Sequence, residues 1–280
     1  MKIKVSAGFT GVISVGPFEN MRPSYTAEVE FELENIVDTD PDLPNRIKWH
    51  QERLQEICQA NFRNDEQKAI VDRIQRERAD IRFYGDCPSV TSIINWDADF
   101  FISKEELQQY CSQGNLIDAQ CKHFIKTGEW APVKDIEGTW SDLVIISRGT
   151  LNLATEGWSF PNFLKKYPIE KMILGESVIS KKHKYAGTSD IKSLIFEGKK
   201  YLGDIKRTAE KVKNGKQLAA YIMVEEENGE TPYDGGMIIP LNDKTEQGFS
   251  KPIIYDRKQI EQYFSMFLKD RENFKKRFNA

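Results

Sequence analysis

YAGTSDIKSLIFEGKKYLGDIKR (residues 185–207) has an aspartate near each end, a lysine two residues after the second, and an apolar centre. Glu197-Gly198 is a turn signal between two apolar runs, so the stretch reads as a β-hairpin. Opposed residue numbers then sum to about 395, which sets Asp190 opposite residue 205, beside Asp204 and Lys206. Cross-strand neighbours stand about 4.5–5.5 Å apart between Cβ atoms. Asp204 and Lys206 are two residues apart and share a face. A second turn, at SKKHK (180–184), pairs a strand over 171–180 with the Asp190 strand and brings Glu176 opposite Asp190. Three carboxylates and one ammonium thus converge on neighbouring strands.

Like charges this close repel unless something cationic sits between them. A hard divalent cation with oxygen ligands meets that need, and magnesium, which keeps several waters, suits phosphate chemistry. Lys206 would then orient a water or stabilise the charge developing on a phosphoryl oxygen. The competing reading is a surface hairpin of solvated charges, and Asp-x-Lys by itself favours that reading.

Outward from the hairpin, the spacing predicts a helix at about 208–224, strands in GGMIIPLN (235–242) and KPIIYD (251–256), and a polar helix over 257–276. Upstream, GWSFPNFLKKYP (157–168) suggests a short helix. Ser103 and Glu106 have the spacing of a capping box that opens a short helix, and a second helix over 115–127 ends at Gly128. That second helix sets Leu116, Ala119, Gln120 and His123 along one side. FYGDCPS (83–89) is rich in turn formers and marks a boundary between a module of residues 1–84 and a domain of residues 85–280. In the first module YTAEVEFELE (25–34) alternates strictly, with Ala27, Val29, Phe31 and Leu33 on one face and four glutamates on the other. KIKVSAGFTGVISVG supplies its partners, broken at Gly8 and Gly11. Two polar helices follow at 45–62 and 65–80, the first with a buried stripe of Ile47, Leu54 and Ile57. Asp38, Asp40 and Asp42 imitate the start of a calcium loop, but Leu43 and Trp49 stand where glycine and glutamate are needed.

The 280 residues, 39% hydrophobic and 30% charged, describe a folded protein rather than a disordered one. No apolar run approaches the roughly 20 residues of a membrane span, and the N-terminus lacks the core of a signal peptide. The expectation is a cytoplasmic protein with no membrane association. Cys58, Cys87, Cys111 and Cys121 form no CxxC pair, which argues against structural zinc. Residues 181–216 hold 11 Lys/Arg against 4 Asp/Glu, a basic patch suited equally to phosphates or to plain solvation. Trp130, Trp140 and Trp158 would stack single-stranded bases or simply pack.

The ordered set His123 in DAQCKHFI, Gly187 to Asp190 in YAGTSDI, Asp204 to Lys206 in YLGDIKRT, and Gln217 with Tyr221 in KQLAAY resembles the PD-(D/E)XK nuclease superfamily, in its RecB-like, phage-type exonuclease branch. PSVTSII (88–94) is similar to the segment that opens many phage-type members, and the resemblance covers about residues 88–280. It implies an α/β, restriction-endonuclease-like core, a central mixed sheet flanked by helices, behind a small N-terminal α+β module. It implies a Mg2+- or Mn2+-dependent deoxyribonuclease, most simply an exonuclease, acting on single-stranded DNA or duplex ends. A phage recombination or single-strand-binding protein would be its partner. The metal ligands would be His123, Asp190, Asp204 and the carbonyl of Ile205, and the catalytic set Asp190, Asp204, Lys206 and Glu176. Gln217, Tyr221, Arg207 and Thr208 would face the DNA. Arg207 intrudes where the family usually has threonine directly after the lysine. No cysteine follows Cys121, so the iron–sulfur cluster of some relatives is not expected. The alternative is a non-catalytic DNA-binding or recombination-partner protein on the same scaffold, and the intact Asp–Asp–Lys set favours the enzyme.

Overall fold

The computed structural model describes residues 2–10, 13–16, 19–21, 24–32, 43–77, 81–98, 102–151, 159–241 and 245–280. The chain divides into two compact units, Met1–Ile81 with Phe278–Ala280, and Arg82–Arg277.

In the first unit β1 (Lys2–Thr10), β2 (Ile13–Gly16), β3 (Glu19–Met21) and β4 (Ser24–Glu32) precede one long helix, α1 (Leu43–Glu77). β1 pairs antiparallel with β4 from Lys2↔Glu32 to Thr10↔Ser24, and β2 pairs with β3. The expected alternation holds in β4, where Thr26, Glu28 and Glu30 are exposed while Tyr25 and Ala27 are half-buried. Gly8 does not break β1; it pairs with Thr26 inside the ladder. α1 is one helix where two were expected, since Arg63-Asn64 lacks the Gly or Pro that stops a helix. The Tyr25 hydroxyl donates to the Asp65 carboxylate at that point. Its buried stripe is Leu54, Cys58 and Ala69, and Ile57 is 43% exposed, contrary to the expectation from spacing. Leu33, Glu34, the Asp38–Asp42 loop, Gly11, residues 78–80 and Trp158 lie outside the described residues.

The second unit opens with the hairpin β5 (Phe83–Tyr84) and β6 (Cys87–Pro88), then α2 (Val90–Ile94), which Ser89 caps by accepting the Ser92 N–H at 3.1 Å. A boundary after residue 84 would cut that hairpin at its turn; the compact unit begins just before it, at Arg82. α3 (Lys104–Thr127) merges the two helices expected over this region. Its N-terminus is the anticipated capping box, with Glu106 N–H on Ser103 Oγ at 3.1 Å and Ser103 N–H on Glu106 Oε2 at 3.0 Å. It ends on Gly128. A 3-10 turn (Val133–Asp135), α4 (Trp140–Arg148) and α5 (Ser159–Lys166) follow.

The chain then builds β7 (Lys171–Leu174), β8 (Ser177–Ser180), β9 (Tyr185–Thr188), β10 (Ile191–Phe196) and β11 (Lys199–Lys206). α6 (Lys211–Glu227), β12 (Gly235–Pro240), β13 (Ile253–Asp256) and α7 (Arg257–Phe278) complete it. Five strands form a mixed sheet in the order β13-β12-β11-β10-β7. β11 and β12 run parallel, joined through α6, and the other neighbours are antiparallel. Every residue of β12 is buried, as expected of a strand covered on both faces. Met237 and Ile239 join Cys121, Phe160, Phe163, Ile191 and Leu194 in the core beneath α3 and α5. Gly236, on the alternate face, lies against Leu218 of α6. The protein is thus mixed α/β with a five-stranded mixed sheet flanked by helices. Among the described residues no helix is long and apolar enough to cross a membrane.

Candidate active site

The site grows from one irregularity in the hairpin of β10 and β11. Phe196↔Lys199, Ile195↔Lys200 and Leu194↔Tyr201 follow the expected register. A bulge between Ile191 and Leu194 then slips it by one, to Ile191↔Gly203. The bulge bends β10 and ends its pairing at Asp190. The Asp190 carboxylate turns back onto β11, where Oδ2 accepts the Ile205 N–H at 2.8 Å. Asp190 is therefore pinned between Asp204 and Lys206 by their own backbone. Ile205 meets the acids through its N–H, which Asp190 Oδ2 accepts.

Asp204 is 1% exposed. Its Oδ2 lies 2.5 Å from Lys206 Nζ, whose side chain is 26% exposed. Burial, reinforced by the Asp190 charge and opposed by Lys206, pushes the Asp204 carboxyl up to about 7. The Asp190 charge acts on Asp204, so the two carboxyls lie close together. Burial works to lower the Lys206 ammonium, but Asp204 and Asp190 outweigh it and raise it, so the lysine stays charged.

α3 adds two groups that the sequence does not single out. Asp118 and Lys122 are one turn apart and form an ion pair of 2.7 Å. Burial and the Asp190 charge raise the Asp118 carboxyl to about 6, against the pull of Lys122. Asp118 Oδ1 is buried and accepts no hydrogen bond. Lys122 feels Asp190 and Asp204 as well as Asp118. Nothing in the sequence marks this pair, because Asp and Lys four apart on a helix form an ordinary surface ion pair.

His123 is half-buried on α3. It follows Lys122 by one residue, a turn of roughly 100° around the helix. Its carbonyl accepts the Thr127 hydroxyl at 2.9 Å. The stripe expected to present it faces protein instead: Leu116 is fully buried and Gln120 Nε2 donates to the Ala131 carbonyl at 2.8 Å.

Glu176 is likewise not brought in. The single strand expected over 171–180 is interrupted at Gly175-Glu176, and the one over 185–196 at Ser189-Asp190. Gly175, not Glu176, meets Asp190, with its N–H on the Asp190 carbonyl at 3.2 Å. Glu176 is exposed. The turn that pairs Ser180 with Tyr185 sets it one residue along, toward Ser189.

Tyr221 lies within electrostatic reach of both acids. Tyr221 is 4% exposed and hydrogen-bonded to Gln217. Burial first, and the Asp204 and Asp190 charges after it, raise its hydroxyl well above the usual range. Its ring occupies the space a Cβ on Gly187 would fill, 2.8 Å from Cε1. Gly187 is therefore required by Tyr221, which ties two of the sequence motifs together physically. Tyr221 is buried rather than presented to a ligand. Arg207 donates to Gln113 Oε1 on α3, and Thr208 is exposed. Trp130 packs edge-on against Phe124, whereas Trp140 is 78% exposed at the start of α4.

Among the described residues no set of three or more His, Cys, Asp or Glu side chains is drawn closely enough together to enclose a metal ion. Magnesium is held by one or two carboxylates plus water rather than by a closed cage. Asp190 and Asp204, with the unpartnered Asp118 Oδ1 nearby, fit such an oxygen-donor cation.

No protein-family model matches the chain. No curated protein matches it either. A solved structure described as "Crystal structure of SSO0001" aligns with 60% of this chain and 84% of its own, at 12% identity and a TM-score of 0.25. A likeness at that TM-score carries no argument about fold or function.

Proposed function

We propose that the protein is a Mg2+- or Mn2+-dependent deoxyribonuclease on a restriction-endonuclease-like core, acting in phage or mobile-element DNA metabolism. The observation that carries this reading is the Asp190 carboxylate bonded to the Ile205 N–H, between the buried Asp204 and its partner Lys206. A fold gains little from burying one carboxylate beside another, and their mutual repulsion is what a bound cation relieves. Asp190 and Asp204 would hold the cation, which supplies Lewis-acid neutralisation of phosphoryl charge and an acidified water.

The chain's own residues account for the rest. Lys206, kept charged by the acids around it, acts as a charge at the phosphoryl oxygens and not as a base. Tyr221 and Gln217 support the floor of the site through Gly187 and Asp204. The basic segment 181–216 supplies the field that draws in a polyanion.

The test compares wild type and Lys206→Ala on single- and double-stranded DNA with Mg2+, Mn2+ or EDTA. Cation-dependent release of nucleotides, reduced at least about a hundredfold in Lys206→Ala, is expected, in line with removal of one charge that stabilises the transition state. Wild type that binds DNA yet cleaves none of it under any of these conditions would make the protein a binding module instead.

A further inference from the structure

α3 holds a second acid–lysine pair beside the first. Lys206 Nζ rests on Asp204 Oδ2 and Lys122 Nζ rests on Asp118 Oδ2, at 2.5 and 2.7 Å. Asp190 acts on both lysines. Three carboxyl groups thus share two ammonium groups, and once deprotonated they leave a formal excess of one negative charge, which repels a phosphodiester. A divalent cation on the carboxylates reverses that sign.

The two pairs differ in how firmly their lysines are held. Asp204 is almost fully buried, so Lys206 neutralises a charge that has no solvent to turn to. The Asp118 and Lys122 side chains are 32% and 29% exposed. An ion pair of that exposure is weak, and the four-carbon stem of lysine lets its head swing without moving the helix. A cation drawn to the unpartnered Asp118 Oδ1 competes directly with Lys122 for that carboxylate.

We infer that Lys122 is a phosphate-binding residue held in reserve on Asp118, released to the DNA backbone when a divalent cation occupies the acids. The inference rests on the cation-site reading above and adds a residue and a coupling to it. Cation and DNA then bind with positive linkage, each favouring the other. In the metal-free protein Lys122 is occupied with Asp118 and contributes little to DNA binding.

The experiment measures binding of a fluorescent phosphorothioate single-stranded oligonucleotide by anisotropy, in EDTA and in Mn2+, for wild type, Lys122→Met and Lys122→Arg. Calorimetry of Mn2+ binding to each protein runs alongside, and circular dichroism checks folding. Lys122→Met is expected to lose about tenfold in affinity in Mn2+ but less than about threefold in EDTA, the size of one ammonium–phosphate pair that forms only in the loaded state. Lys122→Arg should retain most of the Mn2+-dependent increase in affinity. Equal losses in Mn2+ and EDTA make Lys122 a fixed surface charge, and no loss in either makes it a bystander; both results overturn the inference. If calorimetry finds no Mn2+ binding to wild type, the cation-site reading falls and takes this one with it. If Mn2+ binds and DNA is cleaved while the two losses stay equal, only the release of Lys122 is wrong.

Discussion

Asp204, buried beside the half-buried Asp190, gives the metal-free protein a pH signature. Asp204 titrates near 7 in the fold, well above the unfolded value of an aspartate, because burial and Asp190 both favour its proton. Folding therefore takes up a proton at this site. Its contribution is most favourable below about pH 4 and is lost as the pH rises toward 7. Asp204→Asn removes the titration but keeps the shape. Measured in EDTA by urea denaturation, the variant should gain on wild type by on the order of 2 kcal/mol between pH 5 and pH 8. The comparison across pH is the informative quantity, because the variant also leaves Lys206 with only Asp190 and Asp118 to answer it. A difference that is flat in pH, or that shrinks as pH rises, means that Asp204 is ionised throughout and the two carboxyls are not forced together. With Mn2+ present the slope should largely vanish, since a bound cation takes the place of the proton on Asp204.

At the scale of elements, the hairpins depend on close backbone approach as much as on pairing. A Cβ on Gly175 would sit 1.9 Å from the Ser189 carbonyl oxygen, a backbone atom that cannot step aside without moving the Asp190 joint. Gly175→Ala is expected to destabilise by more than about 2 kcal/mol and to cost cation affinity as well. A stable variant with unchanged Mn2+ affinity would mean that the joint is adjustable and that its geometry does not set the site. Much of this level was legible in the sequence. The turn at Glu197-Gly198 set the first three pairs of the hairpin, the Ser103–Glu106 box set the start of α3, and alternation set β4. The bulge was not legible, because one extra residue in β10 leaves no trace in an apolar run such as SLIF. Glu176 was misplaced for another reason: the turn that pairs Ser180 with Tyr185 is centred half a residue before the expected position. The same limit applies to α1 and α3, each read as two helices because polar residues mid-helix look like a gap when the length of the buried stripe is unknown. Asp118 and Lys122 were invisible for a different reason: spacing alone cannot say that a helix pair faces buried acids from a distant strand.

At the scale of the whole molecule, every side chain placed in the site belongs to the unit Arg82–Arg277, drawn from α3, β11 and α6 and the joint at Asp190. The basic run 181–216 lies there too. The first unit has its own small core of Val5, Leu54, Cys58 and Ala69, and its strand β4 presents glutamates to solvent, a surface that repels DNA. A unit with its own core and all of its site residues should fold and act alone. A fragment of residues 82–280 is therefore expected to bind Mn2+ like the full chain and to cleave DNA within about threefold of it, the spread expected when the reacting phosphate keeps all of its partners. Mn2+ calorimetry and the cleavage assay together read the result. Cation binding retained with cleavage reduced a hundredfold would assign the first unit a part in holding the DNA, despite its acidic strand. Loss of both, in a fragment that circular dichroism shows to be folded, would mean that the acids at Asp190 and Asp204 are not a self-sufficient cation site. Retention of both leaves the first unit free for a purpose other than chemistry, and its exposed acidic strand then marks it as a surface for something other than nucleic acid.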